Sequence, residues 1–375
     1  MKSKLKICTV VGTRPEIIRL SQIINKISEC FQHILVNTNQ NFDSKLNKIF
    51  FKELNITKPK YNLKLKGKSS IEKISSILEK IEDILRKEKP DGFLVLGDTN
   101  SALSAYVAKR YHIPIFHIEA GNRCFDLRVP EEINRRIVDN IADINITYSQ
   151  NAKENLIKEG FDLDKIIISG SPLYEVYTNY KKNINESNIL KKLNLKKNNF
   201  YLLSVHREEN IDNIKNLKII FKSINKIATI KKKNIIVSLH PRTKQKLKKL
   251  NLNISNRIKF FRPFGYFDYV KLQKEAELVI SDSGSITEEA QILNLNAINI
   301  RESHERMEGM DCGTVFMSNL SEKNILNTIN LALNKSLLAD RKTNSYFYTD
   351  VSNQICKILQ SYIEYINKKV WFKES

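Results

Sequence analysis

The chain is poor in the features that mark many common function classes. It has 11 glycines among 375 residues, and no G-x-G-x-x-G follows its first strand-like run. The loop there reads Gly12-Thr13-Arg14-Pro15-Glu16, so the dinucleotide fingerprint is absent. Gly67-Lys68-Ser69 resembles the end of a P-loop, but Asn62 stands where its first glycine is required. H-E-x-x-H and G-x-S-x-G are also missing, which removes the usual metalloprotease and serine-hydrolase templates. The cysteines Cys8, Cys30, Cys124, Cys312 and Cys356 are scattered without a C-x-x-C, as expected of reduced thiols and not of a zinc site. No apolar run is long enough to span a membrane, and the apolar stretch after Met1 is too short for a secretory signal. We therefore expect a soluble, cytoplasmic protein with no metal.

The net charge of +21 suggests a nucleic-acid or anionic-membrane partner. The lysines, however, are spread over helix faces and loops amid abundant Asn and Ile, as a genome biased toward A-rich codons would produce. A polyanion or membrane partner is accordingly not expected. The field still favours approach of a doubly charged small molecule.

With 375 residues the chain exceeds the size at which single cores stop growing, so two domains are expected. Short β-branched runs alternate with helix-period segments, the pattern of parallel βαβ units. Leu5–Val11, Ile34–Asn37, Phe93–Leu96, Ile113–His117 and Ile144–Tyr148 read as strands of a first α/β domain. Phe200–Val205, Asn234–Ser238, Lys259–Phe261, Leu278–Ile280 and Ala297–Ile300 read as those of a second. An amphipathic helix is expected from Ile71 to Leu85, and crossover helices at Ile211–Ile227, Thr243–Leu250, Phe267–Glu275 and Ile286–Leu293. The expected fold class is α/β, with two Rossmann-like, doubly wound domains over residues 1–180 and 181–350. A final helix, within 351–375, is expected to return to the first domain. In such sheets ligands bind at the carboxyl ends of the strands, where Gly12, Gly97, Gly121 and Gly284 fall.

Pro15 suits the first turn of a helix, placing Arg14 at an N-terminus that favours anions. Asp98 and Glu119 each follow an apolar strand closely, and Glu131 lies in Val129-Pro130-Glu131-Glu132. Core packing explains such positions poorly, whereas grouped carboxylates supply matched acids and bases. Glu132 reads as solvated or as paired with Arg135 one turn on. His206 and His240 end successive strands of the second half, and His240 reads equally well as structural. Ser281-Asp282-Ser283-Gly284-Ser285 lets backbone N–H groups approach a diphosphate at a helix N-terminus, and Glu289 lies about a turn further on.

Seven segments, GTRPE, GDT, HIEAG, PEE, HREEN, DSGSITEEA and ESHERMEGMDCGTV, together resemble the non-hydrolysing UDP-N-acetylglucosamine 2-epimerase family over nearly the whole chain. The resemblance implies a glycosyltransferase-B-like fold, no cofactor, a UDP-sugar as the partner and a homodimer. It also implies a reaction in which UDP leaves across C1–C2 and re-adds after a proton returns on the other face. Such a reaction would serve surface polysaccharide or lipopolysaccharide precursors. By match to the family's motifs, Asp98, Glu119, Glu131 and His206 are the catalytic residues, with the proton-taking carboxylate left open among the three. Arg14, Ser283, Gly284 and Ser285 match phosphate contacts, Glu289 a ribose contact, Tyr269 a residue beside uracil, and Arg306 a substrate-side arginine.

The chain departs from the common family pattern at Arg19, where lysine is usual, at Phe264, where glutamine is common, and at Glu208, where a second arginine is usual. The run EAGNRCFDLRVPEE resembles the branch acting on modified sugars, such as UDP-2,3-diacetamido-glucuronate or those of the UDP-N-acetyl-fucosamine pathway. There Arg19, Arg123 or Arg128 would meet a substrate carboxylate. The alternatives are a UDP-sugar-dependent glycosyltransferase of the same fold and a non-catalytic polyanion-binding protein.

Overall fold

A computed structural model describes residues 4–40, 44–239, 243, 246, 247, 250, 252–334, 337 and 341–373. The chain forms two compact units, one of Met1–Asn179 with Asn344–Ser375 and the other of Tyr180–Thr343.

The first unit is built on seven parallel strands: β1 (Lys6–Val11), β2 (Gln32–Asn37), β3 (Tyr61–Asn62), β4 (Gly92–Leu96), β5 (Ile115–Ile118), β6 (Ile144–Thr147) and β7 (Ile166–Ile168). Their spatial order is β3-β2-β1-β4-β5-β6-β7. The central strands are almost wholly buried because helices cover both faces of the sheet. On one face Cys8, Val10, Phe93 and Val95 pack against Ile77, Ile81 and Leu85 of the helix Ser70–Glu88. That helix opens on a Ser69–Glu72 capping box and ends at Lys89, in the left-handed region one residue before Pro90. Ile71, in its first turn, is exposed and takes no part in the core.

On the other face the helix Arg14–Cys30 buries Ile17, Leu20, Ile23, Ile24 and Ile27, and the helix Val351–Lys369 lies beside it. The last helix is fastened where it begins. Ser352 N–H donates to Glu175 Oε2 at 2.9 Å and Ser352 Oγ to Glu175 Oε1, while Gln354 Nε2 reaches Ile168 O at 3.0 Å. Among the described residues no helix is long and apolar enough to cross a membrane.

The second unit repeats the plan with six parallel strands: β8 (Phe200–Ser204), β9 (Asn234–Ser238), β10 (Ile258–Phe261), β11 (Leu278–Ser281), β12 (Ala297–Ile300) and β13 (Phe316–Ser318). Their order is β10-β9-β8-β11-β12-β13. One face is closed by Leu217, Phe221 and Ile224 of Ile214–Lys231 with Ile325 and Ile329 of Glu322–Ala332. Leu272 of Tyr266–Glu275 and Ile286 of Ile286–Leu293 close the other. Short helices Lys181–Glu186 and Ile189–Lys192 precede β8. The helix expected over Thr243–Leu250 lies largely outside the described residues, as does His240.

Each sheet reverses its strand order once, between β1 and β4 and between β8 and β11. At such a switch point neighbouring crossovers diverge to opposite faces, and the strands' carboxyl ends are left uncovered.

Candidate active site

At the first switch point the chain leaves β1 through Gly12, where a Cβ would fall 2.1 Å from Ser101 Oγ and 2.2 Å from Thr38 Oγ1. No side chain fits in that approach. Glu16, in the first turn of the following helix, reaches back to accept from Gly12 N (3.0 Å) and Thr13 N (2.6 Å). Its other oxygen accepts from Thr99 Oγ1 at 2.9 Å, which joins the β1 loop to the β4 loop. Burial pushes the Glu16 carboxyl up to about 7 against the lowering effect of those bonds from Thr13, Thr99 and Gly12. Arg14 begins the same helix and is half-buried.

The strand-end acids of the first unit gather on this edge. Asp98, just beyond β4, is held by Arg135 through Nε (3.0 Å) and Nη2 (2.5 Å), and its carbonyl accepts from Asn134 Nδ2 at 2.9 Å. Asn134 and Arg135 are one turn along the helix Pro130–Ile141 from Glu131. That helix therefore brings Glu131 and Asp98 to one edge. Glu119, just beyond the neighbouring strand β5, stands with φ +71, a left-handed conformation uncommon outside glycine. Arg19 Nε is 3.8 Å from Glu119 Oε2, and the Arg19 guanidinium lies 5.6 Å from the centroid of the Tyr148 ring.

Of the two readings of Glu132 the pairing holds: it is fully buried, with Arg135 Nη1 at 2.7 Å one turn on and Arg136 Nε at 3.1 Å. One sequence-based expectation for this edge is corrected. Arg123 is 1% exposed and ion-paired to Asp139 at 2.7 Å and Glu159 at 2.5 Å, so it is not available to a substrate carboxylate. Arg128 is exposed and forms a bidentate pair with Asp126.

At the second switch point a buried carboxylate again joins the two central strands. Asp282, at the end of β11, accepts from His206 N (3.1 Å), Arg207 N (3.0 Å) and Asn210 Nδ2 (3.1 Å) in the loop after β8. His206 Nδ1 lies 3.2 Å from Asp282 Oδ1, and the imidazole is 42% exposed. A carboxylate at Nδ1 fixes the tautomer with its proton there and leaves Nε2 as the basic nitrogen.

Beyond Asp282 the loop enters the helix Ile286–Leu293. Ser283 Oγ and Ser285 Oγ are 2.8 Å apart, Ser285 Oγ donates to Glu289 Oε1 at 2.8 Å, and Gln273 Nε2 donates to Glu289 Oε2 at 2.5 Å. Tyr269 lies one turn before Gln273 and packs, partly buried, against the same core as Phe261 and Phe264. Near Gly284 stand Arg207 Nη2 and Arg301 Nη1, with Glu305 between the two guanidiniums at 3.2 and 2.6 Å. A helix N-terminus flanked by two arginines favours an anion. Arg306 is buried with its Nε 2.7 Å from Glu288 Oε1.

Sequence reasoning missed Glu16 and Asp282 as anchors, although Asp282 ends β11 much as Asp98 follows β4. Among the described residues no group of three or more His, Cys, Asp or Glu side chains is arranged to hold a metal ion.

Two doubly wound parallel units, each with a buried carboxylate tying the loops at its switch point, have the architecture of nucleotide-binding α/β proteins. The sequence profile of the family described as UDP-N-acetylglucosamine 2-epimerase matches residues 25–360. A solved UDP-N-acetylglucosamine 2-epimerase from Rickettsia bellii is 43% identical, covers 99% of this chain and 100% of its own, and superposes with a TM-score of 0.89. The Methanocaldococcus jannaschii UDP-GlcNAc 2-epimerase, solved in complex with UDP-GlcNAc and UDP, is 36% identical over 95% of this chain and 99% of its own, also at 0.89. The UDP-2,3-diacetamido-2,3-dideoxy-D-glucuronate 2-epimerase of Pseudomonas aeruginosa is 33% identical over 90% of this chain and 94% of its own. The chain belongs to the non-hydrolysing UDP-N-acetylglucosamine 2-epimerase family.

Proposed function

We propose that this protein inverts C2 of a UDP-linked N-acetylated sugar by eliminating and re-adding UDP, as an isomerase of surface-polysaccharide precursor synthesis. The observation that carries this reading is the gathering of Asp98 and Glu119 at adjoining strand ends, with Glu131 on the helix that holds Asp98, in a chain of this family.

In the forward step the C1–O bond breaks and UDP departs with its electron pair. A carboxylate takes the C2 proton, and the C2–H pair becomes the C1=C2 bond of a 2-acetamidoglycal. Addition of UDP with protonation from the opposite face completes the inversion. The C2 hydrogen is weakly acidic, so positive charge at C1 leads. Asp98, Glu119 and Glu131 serve that step as charge stabilisers and proton carriers.

The nucleotide belongs to the second unit. Ser283, Gly284, Ser285 and His206 act at the diphosphate, Glu289 at ribose and Tyr269 beside uracil, with Arg14 and Arg19 completing the phosphate and sugar contacts and Arg306 bracing the loop through Glu288. Relatives named for UDP-N-acetylglucosamine and for a diacetamido-glucuronate support an N-acetylated hexosyl substrate. With Arg123 committed to internal pairs, we take UDP-N-acetylglucosamine as the first substrate to test. A cytoplasmic homodimer is part of the same reading.

The test is proton NMR of UDP-N-acetylglucosamine and UDP-2,3-diacetamido-glucuronate incubated separately with the protein in heavy water. Deuterium at C2 together with the C2 epimer, without any acceptor, is the expected result. No exchange at C2, with the sugar passed on once an acceptor is added, would point to glycosyl transfer and overturn it.

A further inference from the structure

A buried histidine beside the strand-end acids is left unused by the reaction outlined above. His117 lies on β5, two residues before Glu119, and is inaccessible to solvent. Its Nε2 is 2.8 Å from Gly97 O and its Nδ1 is 2.9 Å from Asp139 Oδ1. A carbonyl and a carboxylate can only accept, so each ring nitrogen faces an acceptor. Asp139 is also fully buried, accepts from Gly121 N at 3.3 Å and pairs with Arg123 at 2.7 Å. Burial is the strongest influence on the Asp139 carboxyl and opposes its charge. The proton donors His117 and Arg123 together outweigh that effect and hold it below its ordinary value.

This arrangement grips the chain on both sides of Glu119. Asp139 holds His117 two residues before it and Gly121 two residues after it. Between these fixed points Glu119 keeps its left-handed φ of +71, a conformation that persists in a non-glycine residue only when its surroundings over-determine it.

The same histidine also reaches the Asp98 side. Gly97 donates its N–H to Ile118 O at 2.9 Å, and its carbonyl is held by His117. The peptide leading into Asp98 is thus tied to β5 at both ends. Gly97 itself has φ +69, and the place its Cβ would occupy is 3.9 Å from the Glu119 carboxylate. Asp98 and Asp139 are joined a second way, through Arg135, Glu132, Arg136, Glu159 and Arg123, by contacts of 2.5 to 3.1 Å. The frame closes on itself, and His117 is the member that touches both acid-bearing loops.

We propose that His117 and Asp139 are a positioning pair that sets the Asp98 and Glu119 carboxylates relative to one another and acts through them, without touching the sugar. The inference rests on the epimerase reading, in which those two carboxylates serve the C1–C2 chemistry.

The test uses the full chain as wild type, His117→Gln and His117→Asn. The longer glutamine amide reaches the Nε2 position and keeps a donor on Gly97 O. The asparagine amide reaches only the Nδ1 position and keeps a donor on Asp139. Turnover and KM are measured with UDP-N-acetylglucosamine by C2 exchange in heavy water, UDP affinity by calorimetry, and folding by thermal melting.

We expect His117→Asn to lower kcat about a hundredfold and His117→Gln about tenfold, with KM and UDP affinity within about threefold of wild type. His117→Gln retains the buried donor and is the variant to rely on should His117→Asn fail to fold. Both folded variants turning over at the wild-type rate would overturn the inference alone, as would a loss of UDP affinity equal to the loss of kcat. Absence of exchange by wild-type protein would overturn the functional reading and this inference with it.

Discussion

The two switch points place the same kind of anchor in opposite ways. In the first unit Glu16 comes from the helix after β1, gathers the N–H groups of its own loop, and among the described residues bonds the β4 loop through Thr99. In the second, Asp282 ends β11 and reaches across to gather the loop after β8, with the His206 ring among its partners. The first unit therefore keeps its anchor separate from Asp98 and Glu119. The second places its anchor directly beneath the histidine. Glu16 can thus be changed without removing a partner of Asp98 or Glu119, whereas changing Asp282 removes a partner of His206.

The sharpest way to break this contrast is Asp282→Ala. It takes one acceptor from the backbone N–H of Arg207 and the buried Asn210 amide and removes the partner that orients His206. We expect a loss of about 3–5 kcal/mol in denaturant unfolding, with turnover down at least about a hundredfold. A variant that unfolds like wild type would show that the loop holds itself.

Glu16 tests the first unit through pH. Its carboxyl stands at about 7 in the folded protein against an ordinary 4.5, so the folded state holds the proton more tightly than the unfolded one. The stability linked to that proton is fully present below the unfolded value and is lost as pH rises through about 7. Between pH 5 and 8 the wild type should lose up to about 3 kcal/mol relative to Glu16→Gln. In the variant the amide oxygen can accept from Gly12 and Thr13 while its NH2 donates to Thr99 Oγ1, so the fold is kept and the slope should be absent. Urea titrations at three pH values read the difference, and parallel curves would refute it.

The smallest effects serve as controls away from both switch points. Ser69 caps a helix of the first unit by accepting from Glu72 N, and Ser321 caps one of the second by accepting from Asn324 N. Ser69→Ala and Ser321→Ala should each cost about 1 kcal/mol and leave turnover unchanged.

What could be read in advance followed how locally each signal is written. Ten apolar runs were legible as strands because burial on both faces leaves a continuous β-branched signature. The two-residue strand Tyr61–Asn62 and the three-residue Ile166–Ile168 and Phe316–Ser318 escaped notice, being edge strands too short to show a pattern. The candidate acids were legible because an Asp or Glu just after an apolar strand is conspicuous. Their supports were not.

Arg123 looked like a free cation because Glu159, 36 residues further on, gives no hint of its proximity. His117 stood inside the quoted HIEAG segment, but its meaning depends on Asp139 in a different element. A buried ion pair is a relation between distant positions, and a linear reading records only its separate halves.

The clasp between Ser352 and Glu175 closes a span of 177 residues, and the whole second unit, Tyr180–Thr343, lies inside that span. On the ribosome, every residue of Tyr180–Thr343 is therefore made before the segment that seals the first unit emerges. The half of the protein that starts first can be finished only last.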